Sequence, residues 1–128
     1  MKIFISLLLF SLLCSCSESA VKSKLINNSW SVEEVEYQDS TYGLFFFRMN
    51  TINFKEDNNC DLPYFEWAND YNSKWDISNT SSFNFDLTLE NSDGHFLDGT
   101  YRSKIYYDPS TKLQTLSLEN ERLKLTCR

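Results

Sequence analysis

Phe83-Asn84-Phe85-Asp86-Leu87-Thr88-Leu89-Glu90 is the stretch that decides the fold of this chain. Its apolar residues share one parity and its polar residues the other. Successive side chains of a strand point to opposite faces, so the octet reads as a strand buried on one side only. Downstream, Tyr101, Ser103, Ile105 and Tyr107 repeat the pattern, with Arg102 and Lys104 facing the other way. Leu116 and Leu118, then Leu123 and Leu125, flank residues 119–122 and predict a terminal hairpin.

Upstream, Trp30 and Val32 share one parity while Val35 and Tyr37 share the other. A slip of one residue at Glu33-Glu34 predicts a β-bulge inside the first strand. Further strands are expected over 43–49, 51–55, 61–67 and 73–78. Polar, turn-forming residues separate them at 56–59, 68–72 and 92–94. No segment after the first fifteen residues carries a 3.6-residue period over eleven positions, and Ala20 to Asn27 offers at most one helical turn. Strands every 8–12 residues joined by short turns predict an all-β, antiparallel up-and-down meander of about eight strands, closed or nearly closed.

The N-terminus reads differently. Met1-Lys2 is followed by an apolar run from Ile3 to Leu13, broken only by Ser6 and Ser11. That is the layout of a secretory signal, too short for the roughly 20 apolar residues of a spanning helix. Leu13-Cys14-Ser15-Cys16 closes the run and resembles the bacterial lipobox, in which a small residue precedes the cysteine that becomes lipidated. Cys16 fits that pattern; Cys14 has bulky Leu13 before it. The resemblance implies cleavage before Cys16, acyl (palmitate-type) chains on it, and a membrane as partner through that anchor. Two or more chains give stable anchoring where one does not. The expected location is the cell envelope, at the outer membrane, facing periplasm or exterior.

Cleavage also removes Lys2 and leaves a domain one charge more acidic than the net −6 of the whole chain. Without a basic stripe, nucleic acid is not an expected partner. Residues 17–23, Ser-Glu-Ser-Ala-Val-Lys-Ser, are small, polar and without a period, so 16–24 reads as a flexible tether and 25–128 as the folded domain. Of four cysteines, Cys60 and Cys127 remain in that domain. An even pair in an exported chain predicts a disulfide, although two separate buried thiols would leave the same count.

Asn28-Ser29-Trp30 resembles the Gly-x-Trp opening of lipocalin-like domains, without the glycine. With the segment Ile52 to Pro63, Lys74-Trp75-Asp76-Ile77 and Gly99-Thr100-Tyr101-Arg102, the chain is similar to small lipocalin-like lipoproteins of Bacteroidota. The resemblance implies a small lipocalin-like barrel over 25–128. It also implies that Trp30 packs beneath a basic side chain near the last strand, Arg122 or Lys124.

No residue pattern carries catalysis, and the chain reads as a non-enzyme with no cofactor. His95 is the only histidine, without a metal-spaced neighbour. Asp57, Asn59 and Asp61 mimic the first positions of a calcium loop, but Leu62 and Ala68 occupy the glycine and glutamate positions. Asp61, Glu66, Asp70, Asp76 and Asp86 are candidates for a glycosidase pair only if the fold brings two together. The aromatics Tyr42, Tyr64, Phe65, Trp67, Tyr71 and Trp75 either fill the core or line a mouth. Trp67, Tyr71 and Trp75 are the candidate ligand-binding residues, for a small apolar or glycan ligand. Phe45-Phe46-Phe47 cannot all face inward from one strand, so one side would be covered or form a contact surface. Two functions stay open: a ligand-binding lipoprotein, or a structural or protein-interaction lipoprotein whose barrel is filled.

Overall fold

The computed structural model describes residues 17–43, 46–47, 49–64 and 70–128, the side chains of 70–72 excepted. A helix over residues 17–27 (α1) precedes nine strands. These are β1 (Trp30–Tyr37), β2 (Ser40–Tyr42), β3 (Thr51–Phe54), β4 (Asn59–Leu62), β5 (Asp70–Ser81), β6 (Asn84–Asn91), β7 (Gly99–Asp108), β8 (Leu113–Glu119) and β9 (Leu123–Cys127). All paired neighbours are antiparallel. β9 returns to β1, so eight strands close into a barrel, and β2 is an extra ribbon on the upper half of β1. The all-β barrel read from the alternation is the observed fold.

Closure rests on the bulge in β1. Val32 pairs with Cys127 and Glu34 with Thr126, so Glu33 is the extra residue. The slip turns both Val32 and Val35 inward, and both are buried. One edge of β1 is then shared: Trp30 pairs with Ile52 of β3, while Val35 pairs with Tyr42 of β2. Asn50 bridges the handover, its carbonyl accepting from the Val32 amide at 2.7 Å and its side chain donating to Ser31 Oγ at 3.0 Å. The β1–β2 turn is Gln38-Asp39, both at positive φ, the conformation that matches the twist of a two-residue hairpin.

Alternate residues of every strand point inward. Phe85, Leu87 and Leu89 of the deciding octet are buried, facing Tyr101, Ser103 and Ile105 of β7 and Leu116 and Leu118 of β8. Phe83 lies in the turn before β6 and is half-buried. Tyr107 shares the inward parity yet is 56 % exposed, because the β7–β8 hairpin runs past the end of the barrel.

The expected tether is instead α1. Val21 and Leu25, one turn apart, are completely buried against the barrel, and Glu18 pairs with Lys22 at 3.2 Å across another turn. Burying two aliphatic side chains contributes roughly 1.5–3 kcal/mol each, which outweighs the weak intrinsic preference of a serine-rich segment. Two apolar residues are too few to register as a period.

The strand expected over 43–49 does not form in its described part. Phe46 and Phe47 lie in a bend, and only Met49 makes an isolated bridge, to Tyr64. A bend resolves the conflict of consecutive phenylalanines, since it frees their side chains from strict alternation.

No disulfide joins Cys60 to Cys127, correcting the expected bond. β3 and β1 lie between β4 and β9 in the wall. Three spacings of about 4.8 Å therefore separate the two strands, against a Cα limit near 7 Å for a disulfide. Cys60 pairs with Phe54, whereas Cys127 is level with Val32 and so with Asn50, four positions away along β3.

Candidate functional site

Of the three expected ligand residues, only Trp75 has a described side chain. Trp75 is 2 % exposed, packs edge-on against Phe54 at 5.2 Å, and donates its indole N–H to the Lys55 carbonyl at 3.0 Å. It is a core residue with its one donor satisfied, which corrects its assignment to a binding surface. Trp67 lies outside the described residues, and so does the side chain of Tyr71, whose backbone belongs to β5. Cys16 and Cys14 also lie outside them.

At both barrel ends, described side chains pack against the core. At the end where β1 begins, α1 crosses the opening from the β5–β6 turn, where Ser17 Oγ donates to the Ser82 carbonyl at 3.1 Å, to Trp30. At the opposite end, Phe47 and Leu97 are buried, and Phe96 stacks within 5.2 Å of Tyr37, 5.6 Å of Phe46 and 6.1 Å of Phe47. Tyr42 adds to the cluster at 5.0 Å from Phe46. Such tilted and edge-on ring pairs add to area burial and fix the segment that carries them.

Arg122 holds this far end together. Its guanidinium lies 5.0 Å above the Phe96 ring and donates to the Phe96 carbonyl, with Asp98 O at 3.5 Å. It therefore binds the β8–β9 turn to the β6–β7 loop. Trp30 lies at the other end, so neither Arg122 nor the exposed Lys124 packs over it as the lipocalin resemblance implied. The basic residue beside Trp30 is Arg128, whose backbone exchanges hydrogen bonds with Ser31. Its side chain turns to Glu33 at 2.6 Å and Asp108 at 3.6 Å, and the hydrogen bond from Arg128 to Glu33 raises the Arg128 pKa further.

The remaining candidates have structural duties. His95 accepts the Leu97 amide on Nδ1 at 2.9 Å, so its Nε2 carries the proton and donates to the Pro63 carbonyl at 2.6 Å. Nδ1 thus braces the β6–β7 loop internally, and Nε2 ties that loop to the chain after β4. Asp98 completes that loop by accepting the amides of Asn91 and His95. In the calcium-like segment, Asp57 and Asn58 form a tight left-handed turn, and Asp61 pairs with Lys55 at 3.1 Å. Asp76 accepts its neighbouring Ile77 amide and Asp86 accepts from Asn79. Glu66 and the Asp70 side chain lie outside the described residues. Among the described residues no three His, Cys, Asp or Glu side chains converge on a metal site.

What the far end offers is an outer surface. A hollow of about 780 Å³ lies between the β1–β2 hairpin and the β8–β9 turn, lined by Glu36, Gln38, Asp39, Glu121, Arg122 and Lys124 among others. A second, of about 510 Å³, lies beside it along Asp86, Thr100, Arg102 and the same turn. Both are open, polar and outside the wall, unlike an apolar small-molecule pocket. The described residues thus form a small closed antiparallel barrel with buried inward side chains and a charged outer rim. Compared with known protein families, curated proteins and solved structures, the chain matches none.

Proposed function

We propose that this chain is the precursor of a lipid-anchored cell-envelope protein whose filled barrel acts as a structural or protein-contacting module through its outer surface. The lipid address rests on the h-region and on Leu13-Cys14-Ser15-Cys16. The observation that carries the choice against an internal ligand is the placement of Trp75, Phe47, Leu97 and α1. The aromatic that would have lined a mouth fills the core, and described side chains pack at both ends. Eight-stranded barrels either fill with their own side chains or hold one small ligand, and the inward burial of Trp75 favours the first.

Native mass spectrometry of the protein extracted from membranes of its own bacterium tests this. The expected species is residues 16–128 plus acyl groups, with no small molecule released on denaturation. A stoichiometric small molecule would restore the ligand-binding reading, and an unmodified chain starting elsewhere would remove the lipoprotein reading.

A further inference from the structure

Residue 17, bonded directly to Cys16, is already helical, and its side chain is held against the β5–β6 turn by the Ser17–Ser82 hydrogen bond. Adjacent Cα atoms are about 3.8 Å apart, so a lipid on Cys16 starts at the barrel wall and not at the end of a tether. The same end bears two of the three large apolar side chains that the described surface exposes, Tyr107 at 56 % and Leu113 at 49 %. Both belong to the end of the β7–β8 hairpin, beside α1. Gln114, the cross-strand partner of Tyr107, meets Lys24 of the helix at 3.5 Å.

Charge follows the same polarity. Lys22, Lys24, Lys104 and Lys112 stand on or near α1 and this hairpin, and the nearby Glu18 is paired with Lys22. Asp108, cross-strand from Leu113 in the hairpin itself, and Glu33 on β1 are both paired with Arg128, while Glu56 and Asp57 sit on the β3–β4 connection, diametrically across the barrel from β7–β8. The far rim carries Glu36, Asp39, Asp93, Glu119 and Glu121 against Arg122 and Lys124. An anionic bilayer attracts the first surface and repels the second.

We infer that α1 and the β7–β8 hairpin form a membrane-docking face, with Tyr107 and Leu113 seated in the headgroup region of an anionic bilayer and the acidic rim directed away. This rests on lipidation at Cys16. Lysines with an aromatic and a leucine beside an acyl chain combine the two signals that give stable anchoring and also fix orientation.

The test uses lipidated protein, its acyl groups confirmed by intact mass, in vesicles of phosphatidylethanolamine and phosphatidylglycerol containing a brominated lipid. A fluorophore is attached to Thr111→Cys at the β7–β8 turn or to Glu121→Cys on the far rim. Quenching is expected at 111 and not at 121. In the 111-labelled protein, adding Tyr107→Ser and Leu113→Ser should lower quenching about threefold while the acyl mass is unchanged. Equal quenching at both sites, quenching at 121 alone or at neither, or no effect of the double substitution overturns the docking face while leaving the lipoprotein reading intact. A chain without acyl groups in the mass spectrum overturns both.

Discussion

The Trp30 indole N–H donates to the Leu25 carbonyl at 3.2 Å, joining the first strand of the barrel to the last turn of the helix that closes it. The last carbonyls of a helix have no partner within it. Here Trp30 satisfies one and the Asn28 side chain satisfies that of Lys24 at 2.7 Å. The lid and the wall are therefore one unit, and separating them exposes Val21, Leu25 and the end of the core together.

Leu25→Ala should lower the unfolding free energy by about 2–4 kcal/mol, the range for truncating a buried leucine. Trp30→Phe, which keeps the ring but not the donor, should cost about 1 kcal/mol. Urea denaturation measures both. A loss under about 0.5 kcal/mol for Leu25→Ala would mean that residues 17–27 behave as a tether after all.

Cys127 should be chemically silent in the folded protein. Burial pushes its thiol up to about 12, with Glu33 adding to the shift, so almost no reactive thiolate forms near neutral pH. Alkylation at pH 8 should modify it only in denaturant. A Cys60–Cys127 bond in peptide maps of protein exported to an oxidising compartment would contradict the strand order.

Alkali should destabilise the barrel. Burial raises the Tyr101 hydroxyl from 10.0 to about 12, with Asp98 adding to it and Arg122 opposing, while Cys127 rises from 9.0 to about 12. The unfolded chain releases both protons at the lower values, whereas the folded chain holds them. Their contribution is thus complete below about pH 9 and is lost as pH climbs toward 12. The urea midpoint should fall across that window, and Tyr101→Phe should make the fall shallower. That variant also loses the bond from the hydroxyl to the Leu97 carbonyl at 2.7 Å, so it starts about 1 kcal/mol lower at neutral pH.

Arg122→Ala should loosen the far end without unfolding the wall. Removing the charged donor and the ring contact to Phe96 should cost about 1–2 kcal/mol. Hydrogen exchange should accelerate at residues 95–98 and stay unchanged in β6 and β7. Arg122→Lys should restore only part, because an ammonium cannot stack as a guanidinium does. Uniform acceleration across the barrel would show that the clamp supports the global fold instead.

Gly99 opens β7 at φ +143, where a Cβ would stand 3.3 Å from the Asn120 side chain. Gly99→Ala should cost about 1–3 kcal/mol, since that backbone region is strained for any side chain. An unchanged thermal midpoint would show that the β6–β7 connection relaxes freely.

The alternation in 83–90 and 101–107, the slip at Glu33-Glu34 and the leucine pairs of the last hairpin were legible because a strand's side-chain period is local. Each residue's side of the wall follows from its neighbours two places away. Locally, α1 shows as no more than one turn at Ala20 to Asn27, since Val21 and Leu25 become a helical face only where a barrel end waits to be covered. Nor does spacing along the chain tell how far apart two cysteines lie in a closed wall, or that Trp75 points into it and Tyr107 past its edge. Those outcomes depend on strand order, stagger and the point where each hairpin leaves the barrel. They are long-range quantities, which only simultaneous packing of all eight strands determines.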